Sequence, residues 1–308
     1  MSRSVATSRV VRTRPCWAAA TAIVAADFSI ATLGIAFSYI RGGNVGGGGG
    51  SGTASSTEAV PQYLRWLHRA HVAVAPLRPR AFAEIFAADS WNAPGAPAAV
   101  DQATRAGPGS TVRYTAKVRA FLGSFFRNYN ITRVADMSCS ELLWQPLIPG
   151  FGDLELFAGF DIVPGAVERA RMRIADLRAA GAQLPRRVEL ETMDLVTDRL
   201  SGAFDLVIVR DTLFHLPPTD ALVALEHISA SGSRFLGTTT IDIETIRNSF
   251  ILPGEWYALN LRKPPFLFPA PLNSTIEGEP GADYFGSKMF GVWPLPLMMD
   301  HLAHSLLH

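Results

Sequence analysis

Short apolar runs alternate with longer amphipathic stretches from about residue 111 onward. The runs predict five strands, at 131–137, 158–163, 188–193, 204–209 and 234–240. Apolar residues recur with helical spacing in three stretches, at 110–129, 164–181 and 218–231. Since this alternation is typical of a mostly parallel sheet with helices on both faces, the pattern predicts a Rossmann-like α/β fold.

A continuous apolar stretch near the N-terminus has a different character. Residues 17–40 carry a single charge, Asp27, and have Trp17 and Tyr39 at their ends. The stretch is long enough to cross a bilayer once, and four arginines without any acid precede it. This charge bias predicts a cytosolic tail at 1–16, a signal anchor at 17–40 and a type II membrane protein with its C-terminal part in the ER or Golgi lumen.

Two other interpretations of the N-terminal stretch stay open. A cleaved signal peptide would give a secreted protein, although the apolar run is longer than a usual signal core. Arginine and serine without acids are also typical of a mitochondrial presequence. Asp27 counts against a stable span, because a charge at the centre of a membrane helix costs about 2.5–3.5 kcal/mol on insertion scales.

The remaining chain divides by composition into three parts. Residues 41–57 are a Gly/Ser-rich stalk with nothing to pack. Residues 58–110 combine helical patterns with a turn-rich stretch at 90–110, which predicts an extension and a candidate lid. Residues 111–308 form the predicted α/β domain.

Charge and cysteine content exclude several classes of function. The formal net charge is +1, which argues against nucleic acid as the main partner. With only Cys16 and Cys139, the chain has no disulfide framework and no zinc-site spacing. His301, His304 and His308 are spaced as on one helix face, and we interpret them as an exposed face, so no metal site is predicted. The oligomeric state cannot be predicted.

Acidic residues follow four of the five predicted strands. Asp136, Asp161, Asp194 and Asp211 each stand at or just beyond a strand end, and Asp211 is preceded by Arg210. The carboxyl ends of parallel strands meet at one edge of the sheet, where ligands bind in open α/β folds. A single acid there is usually a helix cap, but four predict a polar pocket.

The turn after the first strand limits the choice of cofactor. Its sequence, DMSCSELLW at 136–144, contains no glycine, whereas a dinucleotide site needs a Gly-rich turn that lets the backbone approach the pyrophosphate. Asp161, after the second strand, is placed to bind ribose hydroxyls. S-adenosylmethionine (SAM) has a ribose but no phosphate, so it does not need the glycine turn.

Several short motifs occur in a fixed order over residues 84–296. They are Gly107-Pro-Gly-Ser110, the turn 136–141 with Trp144, Gly159-Phe-Asp-Ile-Val163, Arg210-Asp-Thr-Leu-Phe-His-Leu216, Asn260-Leu-Arg-Lys-Pro-Pro-Phe266, Glu277, and FGVWPL at 290–295. In this order the chain resembles the class I SAM-dependent methyltransferases, and among them a group of uncharacterised methyltransferase-like proteins. In one respect it departs from them, because Ser140 stands where that group has glycine.

The resemblance implies SAM as the cofactor and a set of contacts for it. The first turn would lie under the methionine part, Asp161 would bind the ribose and Asp194 would lie near the adenine. The residues assigned to the cofactor are Asp136, Ser138, Cys139, Ser140, Asp161, Ile162, Asp194, Leu195 and Arg210.

Arg210, Asp211 and His215 are the candidate catalytic residues. A hydroxyl acceptor must lose its proton as the new bond forms, and an imidazole suits that task. We therefore expect His215 to be the base, with Asp211 orienting it or acting as the alternative base, and Arg210 holding Asp211 or an acidic substrate. A purely structural interpretation stays open, in which Asp211 caps the next helix and His215 is satisfied within a turn.

The sequence thus predicts a membrane-tethered SAM-dependent O-methyltransferase acting on a hydroxylated acceptor, with a glycan as the first candidate. The aromatic stretch 254–272 either binds such an acceptor or covers a sheet edge. A methyltransferase-fold scaffold without catalysis is the main alternative, favoured by Ser140. A third is an N-methyltransferase or small-molecule methyltransferase in another compartment.

Overall fold

A computed structural model describes residues 75–92, 104–277 and 288–297. All of them belong to one compact unit, residues 64–308. The predicted tail, anchor and stalk and the C-terminal histidines lie outside the described residues. Within the described ranges, no helix is both long and apolar enough to span a membrane.

Seven strands form a single mixed sheet. They are β1 (Arg133–Asp136), β2 (Leu156–Asp161), β3 (Arg187–Thr192), β4 (Leu206–Val209), β5 (Phe235–Ile241), β6 (Asn273–Ile276) and β7 (Lys288–Pro294). Their order is β3-β2-β1-β4-β5-β7-β6. The first five strands pair in parallel, while β7 lies antiparallel between β5 and β6. The predicted mostly parallel α/β sheet is therefore confirmed.

Within the described residues, four α-helices accompany the sheet. They are α1 (Arg78–Ala87), α2 (Ala116–Tyr129), α3 (Pro164–Ala179) and α4 (Pro218–Ser229). The sequence pattern began α2 at residue 110, which was too early. Residues 108–115 instead form a short 3-10 turn and a bend, in which the hydroxyl of Thr115 donates to the carbonyl of Thr111 at 2.9 Å.

The five predicted strands are present, with ends that differ from the prediction by at most two residues, and β6 and β7 were missed. Three of the four residues of β6 are exposed, so the apolar alternation that marks a strand is absent there. The second missed strand, β7, contains Gly291 and ends at Pro294, two residues that are depleted in strands. Pairing with β5 across seven residue pairs, rather than local propensity, defines β7.

Both faces of the central strand β4 are covered. Leu206 and Ile208 belong to a core that includes Leu122 and Phe125 of α2. Val207 points to the opposite face, because side chains alternate along a strand. It is also fully buried. A central strand buried on both sides holds the polar residues that follow it in a fixed position.

Candidate active site

A cavity opens at the carboxyl ends of the parallel strands, as the positions of the acids predicted. We call it the rim cavity. Its volume is about 740 Å³ when the part of its mouth that is open to solvent is included. Its polar lining residues include Arg78, Ser110, Ser138, Ser140, Asp161, Asp194, Arg210, Asp211, Thr212 and His215, and its apolar ones include Phe82, Phe86, Trp91, Met137, Ile162 and Leu195.

Asp136 was predicted to contact the cofactor, but it lies beneath the turn after β1 and does not line the rim cavity. It is 1% exposed, and Gln145 Nε2 donates to its Oδ2 at 2.8 Å. Burial raises the pKa of Asp136 to about 6 despite hydrogen bonds from Gln145 and from the backbone of Ser138. The role that the structure gives Asp136 is to hold the turn.

Cys139 is also buried within this turn. It lines a smaller neighbouring cavity together with Ser138 and Ser140, and burial raises the pKa of its thiol well above the usual range. A thiol in that state is a poor nucleophile. Cys139 was predicted to contact the cofactor, but it lines this smaller cavity and not the rim cavity.

Ser140 joins the turn to the end of β2. Its backbone has a φ of 49°, a left-handed conformation that glycine adopts more readily. Its N–H donates to Asp161 Oδ2 at 3.0 Å, and the N–H of Val163 donates to Asp161 Oδ1 at 2.9 Å. Burial raises the pKa of Asp161 to about 6 in spite of these two bonds. Asp161 therefore reaches the rim cavity as a carboxylate in a fixed orientation.

Asp194 lies after β3 and is paired with an arginine from α1. The Nε of Arg78 donates to both carboxylate oxygens of Asp194, at 3.1 and 2.9 Å, and Nη1 of Arg78 pairs with Asp220 at the start of α4. Arg78 is 1% exposed. Helix α1 thus forms one wall of the rim cavity through this ion pair and through Phe82 and Phe86.

A second buried cluster, which we call the β4 cluster, consists of Arg210, Asp211, Thr239, Glu277 and Lys288. Arg210 Nη2 donates to Glu277 Oε2 at 2.5 Å and lies 3.4 Å from Asp211 Oδ2, while Lys288 Nζ lies 2.6 Å from the same Asp211 oxygen. Burial opposes ionisation of Asp211, but the charges of Arg210 and Lys288 outweigh it and lower its pKa to about 2.

The structure favours glycine at position 109, where the chain passes over the β4 cluster. The carbonyl of Gly109 accepts a hydrogen bond from Arg210 Nη2 at 2.9 Å. A Cβ at this position would lie 2.7 Å from Asp211 Oδ2. The Gly107-Pro-Gly-Ser110 motif therefore has a structural reason, which is close approach of backbone to a buried carboxylate.

His215 lines the rim cavity, but Asp211 does not orient it as predicted. The Nδ1 of His215 lies 2.9 Å from the carbonyl oxygen of Glu255, whereas Asp211 is bonded to Lys288 and Thr239. A carbonyl can only accept, so Nδ1 carries the proton and Nε2 is left with its lone pair. Burial lowers the pKa of His215 to about 4, and the ring is therefore neutral at pH 7.

The structure also bears on the alternative in which Asp211 caps the helix after β4. That helix, α4, begins at Pro218, and the capping position Pro217 makes no side-chain cap bond. Asp211 lies seven residues before the helix and belongs to the β4 cluster instead. Its backbone has a φ of 55°, and its N–H donates to Thr239 Oγ1 at 3.1 Å.

Most of the aromatic stretch 254–272 covers the sheet rather than facing solvent. Tyr257, Phe266 and Phe268 are buried, and Phe268 packs edge-on against Trp293 of β7. Trp256 is the exception, since it is 48% exposed and lies edge-on to Phe214, with ring centroids 6.2 Å apart. In the candidate lid, Trp91 lies 5.3 Å from the ring of His215.

Sequence reasoning gave no role to three residues that shape the site, Arg78, Thr239 and Lys288. Arg78 lies within a predicted helical stretch and its partners are 116 and 142 residues away, so no local pattern indicates it. Lys288 opens a strand that was not predicted. The run of three threonines at 238–240 on a core strand was the one available signal for Thr239. Among the described residues, no group of three metal-ligating side chains is present.

Two buried guanidinium groups of the rim cavity retain a donor without an acceptor. Within the described part of the chain, neither Arg78 Nη2 nor Arg210 Nε has a hydrogen-bond partner. A buried donor left unpaired costs about 1–3 kcal/mol, so such atoms point to a ligand that would satisfy them. Together with the carboxylate of Asp161, they fit a ligand that carries both hydrogen-bond acceptors and hydroxyl groups, as SAM does.

Comparisons with known proteins give fold similarity only. No protein-family model matches the chain, and no curated protein matches it. Among solved structures, the methyltransferase domain of bacterial CtHen1-CN has a TM-score of 0.44 at 16% identity and covers 59% of this chain and 100% of its own. The N-methyltransferase NodS from Bradyrhizobium japonicum has a TM-score of 0.39 at 14% identity, with coverages of 56% and 89%.

Magnesium protoporphyrin IX methyltransferase (ChlM) from Synechocystis with bound SAH has a TM-score of 0.34 at 22% identity. The match covers 40% of this chain and spans only 55% of that enzyme. These values are too low to transfer an acceptor or an activity. The sheet itself, with five parallel strands in the order 3-2-1-4-5 and an antiparallel β7 beside β5, is the mostly parallel α/β sheet that the sequence predicted.

Proposed function

We propose that the rim cavity binds SAM and that the chain is a SAM-dependent methyltransferase acting on a hydroxyl group. One observation carries the proposal. Asp161, Asp194 and Asp211 follow three different parallel strands and line a single cavity together with the turn after β1. Ligands bind at this edge in open α/β sheets.

The residues present would hold each part of the cofactor. Asp161 accepts hydrogen bonds, as the ribose hydroxyls require, and its orientation is fixed by Ser140 and Val163. Arg210 lines the cavity together with Ser138 and Ser110, and its Nε is a donor without a partner among the described residues, which suits the methionine carboxylate. When bound, SAM supplies an electrophilic methyl group on its sulfonium.

His215 is the proposed acceptor of the substrate proton. Its Nδ1–H is committed to the carbonyl of Glu255, so Nε2 can take a proton from a hydroxyl in the rim cavity. Because burial lowers the pKa of His215 to about 4, the ring is available as a base at pH 7 but is a weak one. We therefore assign proton removal to the moment at which the new bond forms, when the hydroxyl becomes acidic.

Further proposals are that the acceptor is a glycan and that the protein acts in the secretory pathway, anchored by residues 17–40. The support for this is the charge bias of the N-terminus and the exposed Trp256 beside Phe214, since aromatic rings bind the apolar faces of sugars. A protease-protection assay on intact microsomes tests the location. Digestion of the C-terminal domain without detergent would contradict a lumenal location.

The alternative is a methyltransferase-fold binding module without catalysis. Ser140 in a left-handed conformation and the pairing of Asp194 with Arg78 favour it, because both alter positions that the resemblance assigns to SAM.

Calorimetric titration of SAM into the full-length protein distinguishes the two. We expect micromolar binding that Asp161→Asn weakens by at least about 10-fold, the loss of a hydrogen bond to a charged group. Asp176→Asn, the same substitution on an exposed position of α3, is the matched control and should bind like the wild type. A folded wild type that does not bind SAM would support the binding module.

A further inference from the structure

Arg78 is the most unusual group at the rim cavity. Its guanidinium is 1% exposed and is held by two carboxylates from elements far away in the sequence, Asp194 and Asp220. Its Nη2 has no partner among the residues that the structure describes. A buried arginine normally has its donors satisfied, so the remaining donor is the feature to be explained.

The position of Arg78 limits what its free donor can meet. Arg78 lines the rim cavity together with Asp194 and Leu195, at the end that the resemblance assigns to adenine. Both oxygens of Asp194 already accept from Arg78 Nε, and Oδ1 also accepts from the N–H of Val196 at 3.0 Å. Arg78 therefore takes up most of the accepting capacity of Asp194 at this end.

The donor chemistry then selects the ligand atom. A guanidinium has five N–H donors and no acceptor, so the group facing Nη2 must be an acceptor. An adenine carries one amino group, which donates, and ring nitrogens, which accept. Phe82, Phe86, Ile162 and Leu195 line the same cavity and suit the apolar faces of a purine.

We propose that Arg78 reads the adenine of the cofactor by donating from Nη2 to a ring nitrogen, with Asp194 and Asp220 acting as positioning residues that hold the guanidinium. This rests on the proposed function, since it assumes that SAM occupies the rim cavity. It places a cofactor contact in the N-terminal extension, on a helix outside the sheet and its crossovers.

The test uses full-length protein and S-adenosylhomocysteine (SAH) with three analogues, in which the adenine N1, N3 or N7 is replaced by C–H. Affinities are measured by calorimetry. For the wild type, one analogue is expected to bind at least about 10-fold more weakly than SAH, because it leaves a charged donor unpaired. The other two analogues should stay within about 2-fold, since neither removes an acceptor that Arg78 uses.

Arg78→Lys keeps a positive charge between Asp194 and Asp220 but lacks the planar fork. It is expected to bind SAH at least about 10-fold more weakly than the wild type does and to lose discrimination against the same analogue. Arg80→Lys, two residues further along α1 and 78% exposed, is the control and should behave as the wild type. If Arg78→Lys does not fold, equal binding of all three analogues by the wild type still overturns the inference.

Three results would overturn the inference, and they differ in what else they affect. If SAH binds and all three analogues bind equally well, Arg78 does not read a ring nitrogen, while the cofactor site stands. The same conclusion follows if Arg78→Lys binds SAH and discriminates as the wild type does. If the wild type does not bind SAH at all, the proposed function fails and this inference fails with it.

Discussion

Two arginines are buried at the rim cavity, and their surroundings differ. Arg210 directly follows β4 and is neutralised by Glu277 and Asp211, with Lys288 completing the cluster. Arg78 comes from α1 and reaches across to Asp194 and Asp220. The first cluster lies within the sheet and the loops that cover it, whereas the second attaches a separate helix to the sheet. Buried arginine–carboxylate pairs thus occur both in the β4 cluster, within the sheet and its loops, and between α1 and the rest of the domain.

The largest expected effect is the loss of Arg210. Arg210→Met leaves Glu277, which is 1% exposed, without its guanidinium partner. Removing one member of a buried ion pair typically costs 3–5 kcal/mol, so we expect the free energy of unfolding to fall by about 3–5 kcal/mol. Urea denaturation followed by circular dichroism measures it.

A double variant identifies the cause of that loss. Arg210→Met combined with Glu277→Gln should recover part of the stability, because no unpaired charge is left buried. If the single variant lost less than about 1 kcal/mol, the β4 cluster would not be the stabilising feature described here.

Arg78→Met should have a smaller and more local effect. Release of α1 re-exposes Asp194 and Asp220 to water, which reduces the cost of leaving these carboxylates unpaired. We therefore expect the free energy of unfolding to fall by about 1–3 kcal/mol. Hydrogen exchange should accelerate in residues 78–92 while β4 and β5 stay protected. Faster exchange throughout the sheet would show that Arg78, like Arg210, stabilises the whole domain and not α1 alone.

Gly109→Ala tests the close approach over the β4 cluster. The added Cβ would lie 2.7 Å from Asp211 Oδ2, and overpacking of this kind costs about 1–3 kcal/mol. Gly165→Ala at the start of α3 is the matched control, since its Cβ would meet Phe86 at an ordinary 3.7 Å. Thermal unfolding of both variants makes the comparison, and equal melting temperatures would contradict the predicted close approach.

These residues also show how far the sequence alone could go. Asp161, Asp194 and Asp211 were found because strand ends converge at one edge, a consequence of parallel pairing that local patterns reveal. Arg78 and Lys288 were missed because their partners are set by tertiary packing over more than 70 residues. The orienting role expected of Asp211 was wrong for the same reason, since Asp211 pairs with Lys288 and the Nδ1 of His215 lies against the carbonyl of Glu255.

The protonation of His215 gives a prediction that depends on pH. Burial lowers its pKa to about 4, below the usual 6.5, so between these values the unfolded chain binds more protons than the folded one. The contribution of His215 to stability is therefore complete above pH 6.5 and declines as pH falls towards 4.

Urea midpoints of the wild type and His215→Asn at pH 7 and pH 5 test this. We expect the wild type to lose more stability than the variant on going to pH 5, because the variant has no imidazole to protonate. An unchanged difference between the two proteins at the two pH values would contradict a partly buried, neutral imidazole.

Ser140→Gly should give the smallest effect. A left-handed conformation costs an L-residue about 1–2 kcal/mol, and the greater freedom of glycine in the unfolded chain offsets about 0.4–1 kcal/mol of any gain. The net stabilisation should therefore lie between about 0 and 1.6 kcal/mol, as measured by urea denaturation. A destabilised variant would show that the Ser140 side chain has a packing role.

Hydrogen exchange of the full-length protein with and without SAM tests the central claim most directly. Cofactor in the rim cavity should slow exchange in four separate segments, 78–92, 136–141, 161–163 and 194–196, while β6 at the far edge of the sheet is unchanged. Protection in all four would place SAM between α1 and the strand ends. Binding that leaves these segments unprotected, or that protects the β6 edge instead, would contradict a cofactor site at the rim cavity.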